Sequence, residues 1–236
     1  MSKRLSRWVS RVKQVGPRKG PAIIAIVGNG TAKTLAAKML REILKEDGWK
    51  VTCLLADELD NKLDATDELL NFVTSSKRAR AEYAIVDITD DLIPQLSKKT
   101  PITMAVMAPI SFEKPDAHAD VDEQIEARFR LFDNEPRYIV LGRDDKWYEN
   151  FDEFMASEIK ICYGKDAAAN VRIENVKAYK KGTEVHLVLD GAERLEVATY
   201  DTDKLSDYAM AVAASAASLL DVDPDVIQEG IANHEP

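Results

Sequence analysis

The sequence predicts an α/β fold with a mostly parallel, doubly wound sheet and a small antiparallel β meander. As far as residue 145, apolar strand-like runs alternate with amphipathic helical patterns. From residue 170 to 199, three runs of period two are separated by the turn sequences KKGT and DGAE. The 236 residues, 45% of them apolar, can bury the core of one large domain.

The first predicted strand, Ala22–Val27, is continuously apolar, as a central parallel strand is. A glycine turn follows it and leads into a helix that ends near Gly48. The apolar face of this helix consists of Leu35, Ala36, Met39, Leu40, Ile43 and Leu44. The apolar run KVTCLLA predicts a second strand, which completes a βαβ unit.

The remaining segments continue the alternation. Further strands are predicted at AEYAIVDITD, PITMAVMAPI and RYIVLGRDD, and the acidic stretch DELDNKLDATDELLNF predicts a loop and a helix. Another helix is predicted at DVDEQIEARFRLF, with Val121, Ile125, Phe129 and Phe132 on one face. After the meander, KLSDYAMAVAASAASLL predicts an alanine-rich helix, and a last helix begins at Pro224 with Asp223 as its cap.

The net charge of −9 hides an uneven distribution of charged residues. The first twenty residues contain seven basic and no acidic residues, so 32 − 7 = 25 basic and 41 acidic residues remain, a net charge of −16. The seven basic residues are Lys3, Arg4, Arg7, Arg11, Lys13, Arg18 and Lys19. Because so acidic a body repels nucleic acid, we expect no nucleic-acid partner.

Residues 1–20 are predicted to form a basic N-terminal extension, and residues 21–236 the domain. The apolar Leu5, Trp8, Val9, Val12 and Val15 recur at helical spacing between the basic groups. Three interpretations stay open: a helix that makes weak contact with anionic lipid or a partner protein, a helix packed on its own domain, and a solvated extension.

Two further observations concern the compartment. No run of 18 apolar residues occurs, and no apolar stretch follows the basic N-terminus as in a signal peptide, so we expect a cytoplasmic protein. Cys53 and Cys162 lie far apart in the sequence and predict neither a disulfide framework nor a zinc site.

The turn after the first strand has the composition of a phosphate-binding loop. Gly28 and Gly30 permit a tight turn whose backbone N–H groups can point at phosphates, Lys33 would neutralise them, and the Thr34 hydroxyl would hold Mg²⁺. The loop departs from G-x-x-x-x-G-K-[ST], because Ala32 precedes the lysine and forbids positive φ there. A plain strand–turn–helix is the alternative. The predicted nucleotide-binding residues of the loop are Gly28, Asn29, Gly30, Thr31, Ala32, Lys33 and Thr34.

An acidic residue, Asp87, ends the third predicted strand. A carboxylate at the carboxyl end of a parallel strand beside a phosphate loop can reach a phosphate-bound Mg²⁺. We therefore predict Thr34 and Asp87 as metal ligands. Strand-end aspartates also form turns and cap helices, and this alternative stays open.

The order of these segments resembles the central ATP-binding domain of the Mur ligase family, which includes peptidoglycan amino-acid ligases, folylpolyglutamate synthases and cyanophycin synthetases. GNGTAKT is similar to the family's G-T-N-G-K-T loop with one residue added, and VDIT stands where the family has E-x-S. GRDD keeps Asp144 and Asp145 of an N-x-D-D turn, and the resemblance assigns Asp145 to the nucleotide site. The resemblance spans about residues 21 to 232.

The departures from the family fall on nucleotide and metal positions. In APISFEKPDAH, which corresponds to T-N-I and D-H with Ile110, Glu113, Lys114 and His118, a lysine takes the place of a Mg²⁺-binding histidine. We expect His118 to be a surface residue, with a ligand role as the alternative. Arg128 of RFRLF replaces a lysine that is carbamylated in several members, and a guanidinium cannot be carbamylated. The H-N-x-x-N motif, which would contact adenine, is replaced by Asp203, Lys204 and Asp207.

The resemblance implies ATP and Mg²⁺ as cofactors and, if the protein is active, ATP-dependent joining of an acid to an amino acid of the cell-wall or polyglutamate type. Family members use an N-terminal and a C-terminal domain besides the centre, and 20 preceding residues are too few for the first. We therefore expect a stand-alone central domain with weak or no ligase activity of its own, completed by partner chains, with its catalytic residues unassigned. Two alternatives stay open: a pseudoenzyme that serves as a scaffold, and an unrelated P-loop ATPase, against which the meander speaks.

Overall fold

The computed structural model describes residues 20–28, 30–59, 65–110, 121–133, 135–154, 159–191 and 193–234. Within them, the strands form one nine-stranded sheet in the order β2-β3-β1-β4-β5-β6-β7-β8-β9. The strands are β1 (Ala22–Val27), β2 (Val51–Leu54), β3 (Tyr83–Asp87), β4 (Met104–Met107), β5 (Tyr138–Gly142), β6 (Ile159–Gly164), β7 (Val171–Tyr179), β8 (Gly182–Leu189) and β9 (Glu193–Thr199).

Helices connect and cover these strands. They are α1 (Thr31–Glu46), α2 (Ala56–Leu59), α3 (Ala65–Arg78), α4 (Ile93–Lys99), α5 (Val121–Phe129), α6 (Tyr148–Phe154), α7 (Ser206–Leu219) and α8 (Pro224–Ala232), with 3₁₀ turns at Asp90–Leu92 and Arg130–Phe132. None of the helices in the described ranges is long and apolar enough to span a membrane.

The sheet is doubly wound around β1. This strand pairs in parallel with β3 on one side and with β4 on the other, and the chain runs outward to β2 before it crosses back to β4, β5 and β6. In such a sheet, a crevice opens at the carboxyl ends of the two strands between which the order reverses. The connection from β1 lies on one face of the sheet and the connections from its neighbours β3 and β4 lie on the other, so this crevice is at the carboxyl end of β1, which the predicted phosphate loop directly follows.

The predicted fold class, a mostly parallel doubly wound sheet with an antiparallel meander, is confirmed. One additional strand joins the parallel part of the sheet to the meander. Strand β6, with the sequence IKICYG, was not predicted, yet it pairs in parallel with both β5 and β7. The meander β7–β9 therefore continues the same sheet.

Helices α1, α7 and α8 cover one face of the sheet. The predicted apolar face of α1 is at most 5% exposed, and the alanines of α7 allow this helix to lie close to the strands. Helix α8 crosses α1 at Gly230, where a Cβ atom would lie 2.4 Å from Ile43 Cα. Asp223 precedes α8 as predicted, although its side chain makes no capping hydrogen bond.

Helices α3 to α6 pack on the opposite face. Ile93, Leu96, Ile125 and Phe151 contribute buried side chains to this core. Helix α3 is covered less well, because only Leu69 and Ser76 of its 14 residues are buried. Helices α4 and α6, which have seven residues each, were not predicted, since so short a run shows little helical periodicity.

Candidate functional site

The turn between β1 and α1 depends on its two glycines. Gly28 has φ of 148° and Gly30 has φ of 67°, both in the region that L-residues avoid. A Cβ atom on Gly28 would also lie 2.9 Å from the carbonyl oxygen of Ala108, which follows β4. Conformation and space therefore both require glycine at this position, beside the crevice at the carboxyl end of β1.

Ala32, the departure from the phosphate-loop pattern, lies in the first turn of α1 and is 1% exposed. The positive φ values of this turn fall on the two glycines, so alanine is accommodated in helical conformation. The loop thus takes a backbone path in which no glycine is needed before Lys33. Asn29, also predicted to bind nucleotide, lies outside the described residues.

Lys33 and Asp87 form a buried ion pair across two neighbouring strands. Lys33 Nζ donates a hydrogen bond of 2.7 Å to Asp87 Oδ1 and a longer one of 3.4 Å to the carbonyl oxygen of Ile88. Asp87 has no exposed surface and Lys33 is 7% exposed. The pairing of β3 with β1 brings the end of β3 to the start of α1, which is why the two groups meet.

Asp87 accepts two further hydrogen bonds, both through Oδ2. The hydroxyl of Thr34 donates one of 2.5 Å, and the backbone N–H of Ala56, at the start of α2, donates one of 3.2 Å. Both oxygens of this buried carboxylate are therefore hydrogen-bonded to the chain itself, as a buried charge requires. The structure brings Lys33, Thr34 and Asp87, three of the predicted site residues, together, and it adds the bond from Ala56, of which the sequence shows no sign.

The site contains hard oxygen donors suited to Mg²⁺, namely the carboxylate of Asp87 and the hydroxyl of Thr34. Mg²⁺ in nucleotide sites is held by one or two such groups together with phosphates and water, so this donor set fits a metal that arrives with a nucleotide. Across the described part of the chain, no three or more His, Cys, Asp or Glu side chains gather into a metal site. In the structure, the Lys33 ammonium supplies the positive charge beside Asp87 Oδ1.

The loop is also tied to the start of α7. The hydroxyl of Thr31 donates a hydrogen bond of 2.7 Å to Asp203 Oδ2, while Asp203 Oδ1 accepts one of 2.8 Å from the backbone N–H of Leu205. Lys204 is exposed, and Asp207 forms an ion pair of 2.9 Å with Lys165. Of the three residues that replace H-N-x-x-N, only Asp203 contacts the loop within the described ranges.

Asp144 and Asp145 anchor the loop after β5. Asp144 accepts hydrogen bonds from the backbone N–H of Lys165 (2.6 Å) and from the hydroxyl of Tyr208 (2.8 Å). Burial, together with this bond to a carboxylate, raises the pKa of Tyr208 far above its ordinary value. Asp145 accepts bonds from the backbone N–H groups of Ile110 (2.8 Å) and Trp147 (3.0 Å).

Arg128 is fully buried and binds Asp90 with two hydrogen bonds of 2.8 Å, from Nε and from one terminal nitrogen. This fork-to-carboxylate geometry suits arginine and no lysine could reproduce it. Arg128 therefore links α5 to the 3₁₀ turn that follows β3. The other residues that correspond to family positions, Glu113, Lys114 and His118, lie outside the described residues.

Together, the glycine turn at the switch point, its lysine and hydroxyl, and a strand-end carboxylate define an α/β protein with a phosphate-loop type of first βα turn. The family model of the Mur ligase middle domain matches residues 28–215. The chain therefore belongs to the Mur ligase family, through the middle domain. This membership removes the alternative of an unrelated P-loop ATPase.

Individual relatives agree with this assignment. UDP-N-acetylmuramoyl-L-alanyl-D-glutamate--2,6-diaminopimelate ligase 1 of Clostridium acetobutylicum is 24% identical over 180 residues, which are 72% of this chain and 36% of that enzyme. A solved UDP-N-acetylmuramoyl-L-alanyl-D-glutamate--2,6-diaminopimelate ligase superposes with a TM-score of 0.78 at 19% identity, covering 99% of this chain and 51% of the ligase. The MurF ligase of Thermotoga maritima in complex with ADP gives a TM-score of 0.67 at 13% identity, covering 96% of this chain and 52% of that one. The chain thus spans about half the length of these solved ligases and about a third of the curated relative.

Proposed function

We propose that this chain is a nucleotide-binding Mur ligase middle domain that binds Mg-ATP weakly in the cytoplasm and has little or no ligase activity by itself. Partner chains would supply the N-terminal and C-terminal parts of the reaction centre. The reaction class would be that of the family: activation of a carboxylate by ATP as an acyl phosphate and its capture by an amine. The observation that carries the proposal is the convergence of Lys33, Thr34 and Asp87 at the crevice beside β1.

Each of these residues has a definite role in the proposal. The N–H groups at the start of α1 and the Lys33 ammonium would bind the phosphates, since a helix N-terminus and a lysine both attract negative charge. Thr34 and Asp87 would hold Mg²⁺, which neutralises phosphate charge when it is bound. The ADP complex of the Thermotoga maritima MurF ligase, which shares the fold, supports a nucleotide as the ligand. We retain Asp145 as a further nucleotide contact by the same resemblance.

Weak binding follows from the contacts of Lys33. Its ammonium is paired with Asp87 and must leave this carboxylate before it can contact a phosphate. Breaking a buried ion pair costs free energy, which is subtracted from the free energy of nucleotide binding.

The same ion pair favours a second candidate function. A scaffold descended from the ligases would need no open phosphate site, and a lysine permanently bound to Asp87 would simply join α1 to β3. In this case the chain is a pseudoenzyme and Mg-ATP has no effect on it.

Thermal unfolding of the full chain with increasing Mg-ATP separates the two candidates. A ligand that binds only the folded state raises the melting temperature, so we expect a rise in the wild-type chain and none in Lys33→Ala. Lys38→Ala is the matched control, because Lys38 is a half-buried lysine of the same helix. Equilibrium dialysis of ATP against all three proteins, with folding checked by circular dichroism, keeps a loss of binding distinct from a loss of structure.

A wild-type melting temperature that does not move at millimolar Mg-ATP would overturn nucleotide binding and support the scaffold. Completion by partner chains has its own test, which is release of ADP. We expect this release only when a second protein or a carboxylate substrate is added, and ADP release by the chain alone would contradict the proposal.

A further inference from the structure

A cleft of about 740 Å³ lies at the end of the sheet opposite the phosphate loop. Its walls include Pro21 and Ile23 at the start of β1, Ile102 and Thr103 before β4, and Arg137 before β5. These segments precede parallel strands, whereas the phosphate loop and Asp87 follow them. The cleft is therefore separate from the proposed nucleotide site.

One wall of the cleft is an incompletely covered face of α3. Leu70, Val73, Thr74 and Lys77 line it at the spacing i, i+3, i+4, i+7, so they share one side of the helix. Leu70 and Val73 are only half-buried. Ile23 and Ile102 lie beneath the floor and are only 2% and 3% exposed, so the apolar surface open to an occupant belongs mainly to Leu70 and Val73. A volume of this size falls in the range of pockets that hold drug-sized ligands, which is room for a few side chains.

The chain itself enters the structure at this cleft. Gly20 and Pro21, the first described residues, are part of its lining, and a Cβ atom on Gly20 would lie 3.8 Å from the Lys77 side chain. Residues 1–19 are thus attached at its edge. The linker of five residues from Gly16 to Gly20 can span up to about 17 Å, which is enough for the preceding segment to turn back.

The composition of that segment suits the cleft. Leu5, Trp8, Val12 and Val15 would lie on one side of a helix, and a tryptophan buries a large apolar surface when it enters a pocket. Its basic residues would face solvent, because the lining already carries Lys77 and Arg137 against a single acidic residue, Glu135. Attachment by a short linker gives an effective concentration in the millimolar range, so weak contacts are sufficient.

We propose that residues 1–19 bind in cis in this cleft, with Trp8 inserted between α3 and the segment before β4. The N-terminal segment is then part of the domain and covers the open side of α3.

Trp8 fluorescence in the full chain tests this arrangement. Trp49→Phe and Trp147→Phe leave Trp8 as the sole tryptophan, since the chain has three. We expect a blue-shifted emission and weak quenching by acrylamide. Adding Val73→Lys, which places a charge in the cleft, should shift the emission to the red and at least double the quenching. Val176→Lys is the matched control on β7, where the valine is 41% exposed, and should change neither.

Amide hydrogen exchange of the full chain provides a readout that does not depend on a variant of the body. Trp8→Ser should raise the exchange rates of α3 and of residues 100–103 by roughly tenfold and leave those of α7 unchanged. Emission typical of exposed tryptophan, together with unchanged exchange in Trp8→Ser, would overturn the proposal.

Other occupants give different results, and each also overturns binding in cis. Emission that shifts with protein concentration indicates a second copy of the chain. Emission that becomes blue-shifted only with vesicles of phosphatidylserine and phosphatidylcholine indicates a lipid-binding segment.

Discussion

The ammonium nitrogen of Lys33 lies 2.7 Å from Asp87 Oδ1, on a carboxylate that has no contact with solvent. The residue expected to bind phosphate and the residue expected to bind metal are thus each other's counter-ions. This pair determines how the site responds to substitution and to nucleotide.

Loss of either partner should lower the free energy of unfolding, but by different amounts. Lys33→Met leaves Asp87 buried with only the neutral donors Thr34 and Ala56, so we expect a loss of roughly 3 kcal/mol. Asp87→Asn should cost less, about 1 kcal/mol, because the long stem of lysine lets its ammonium move to water. Urea unfolding of both variants measures the difference, and an equal or reversed order would contradict the explanation.

Asp87→Asn should also change how nucleotide binding depends on metal. In the wild-type chain, metal-free ATP must compete with Asp87 for Lys33, so Mg-ATP should bind several-fold more tightly than ATP with EDTA. The asparagine variant releases Lys33 and removes the metal ligand, so the ratio of the two dissociation constants should approach one.

Calorimetric titration of the full chain gives this ratio. Asp91→Asn is the control, since Asp91 is an exposed aspartate on the 3₁₀ turn after the same strand. A ratio unchanged in Asp87→Asn would show that Lys33 is not held back by Asp87.

Gly28→Ala should destabilise the protein more than Gly48→Ala does. Both glycines have positive φ, which costs an alanine about 1–2 kcal/mol. Only at Gly28 does the added Cβ also meet Ala108, at 2.9 Å, whereas nothing lies within 4 Å of it at Gly48. We expect a loss of about 3 kcal/mol for Gly28→Ala against about 1 for Gly48→Ala in urea unfolding. Similar losses would mean that the loop has room to move away from β4.

Tyr208 should make stability fall in alkaline solution. Burial and its hydrogen bond to Asp144 raise its pKa in the folded chain, so the folded state keeps the proton when the unfolded chain has lost it. The contribution of Tyr208 to the free energy of unfolding is retained below the ordinary tyrosine pKa of about 10. It declines above that pH, and the loss reaches about 1.4 kcal/mol at pH 11.

At pH 8, Tyr208→Phe should be less stable than the wild type by about 1 kcal/mol, because its hydrogen bond to Asp144 is lost. Between pH 8 and pH 11, however, the free energy of unfolding should fall less in this variant than in the wild type. Urea unfolding at the two pH values measures this. Tyr200→Phe, at a tyrosine that is 73% exposed, is the control. Parallel losses in the wild type and in Tyr208→Phe would contradict the assignment.

The sequence predicted the elements that show a strong local pattern. Strand β1 is continuously apolar, and the face of α1 repeats with the helical period, so both could be recognised without knowledge of the fold. Strand β6 lacked such a signal, because its first two residues are exposed while the rest is buried. Its identity as a strand depends on β5 and β7, which lie beside it in space.

The sequence indicated which side chains to examine at this end of the sheet, but not which hydrogen bonds they form. Lys33, Thr34 and Asp87 were identified from their positions after strands, which is a local property. Their mutual contacts were not, and neither was the bond between Thr31 and Asp203, which are 172 residues apart. Whether a lysine faces a phosphate or a carboxylate depends on the packing of distant segments, and a single sequence does not show that packing.

The central position of β1 has a consequence for how the chain is made. The two strands that flank it, β3 and β4, leave the ribosome long after it, and Asp87 follows Lys33 by 54 residues. At common rates of translation, synthesis of the chain from β1 to β4 takes about ten seconds. During this time the apolar strand β1 has neither of its neighbours to pair with, and it stays exposed until β3 and β4 have been synthesised.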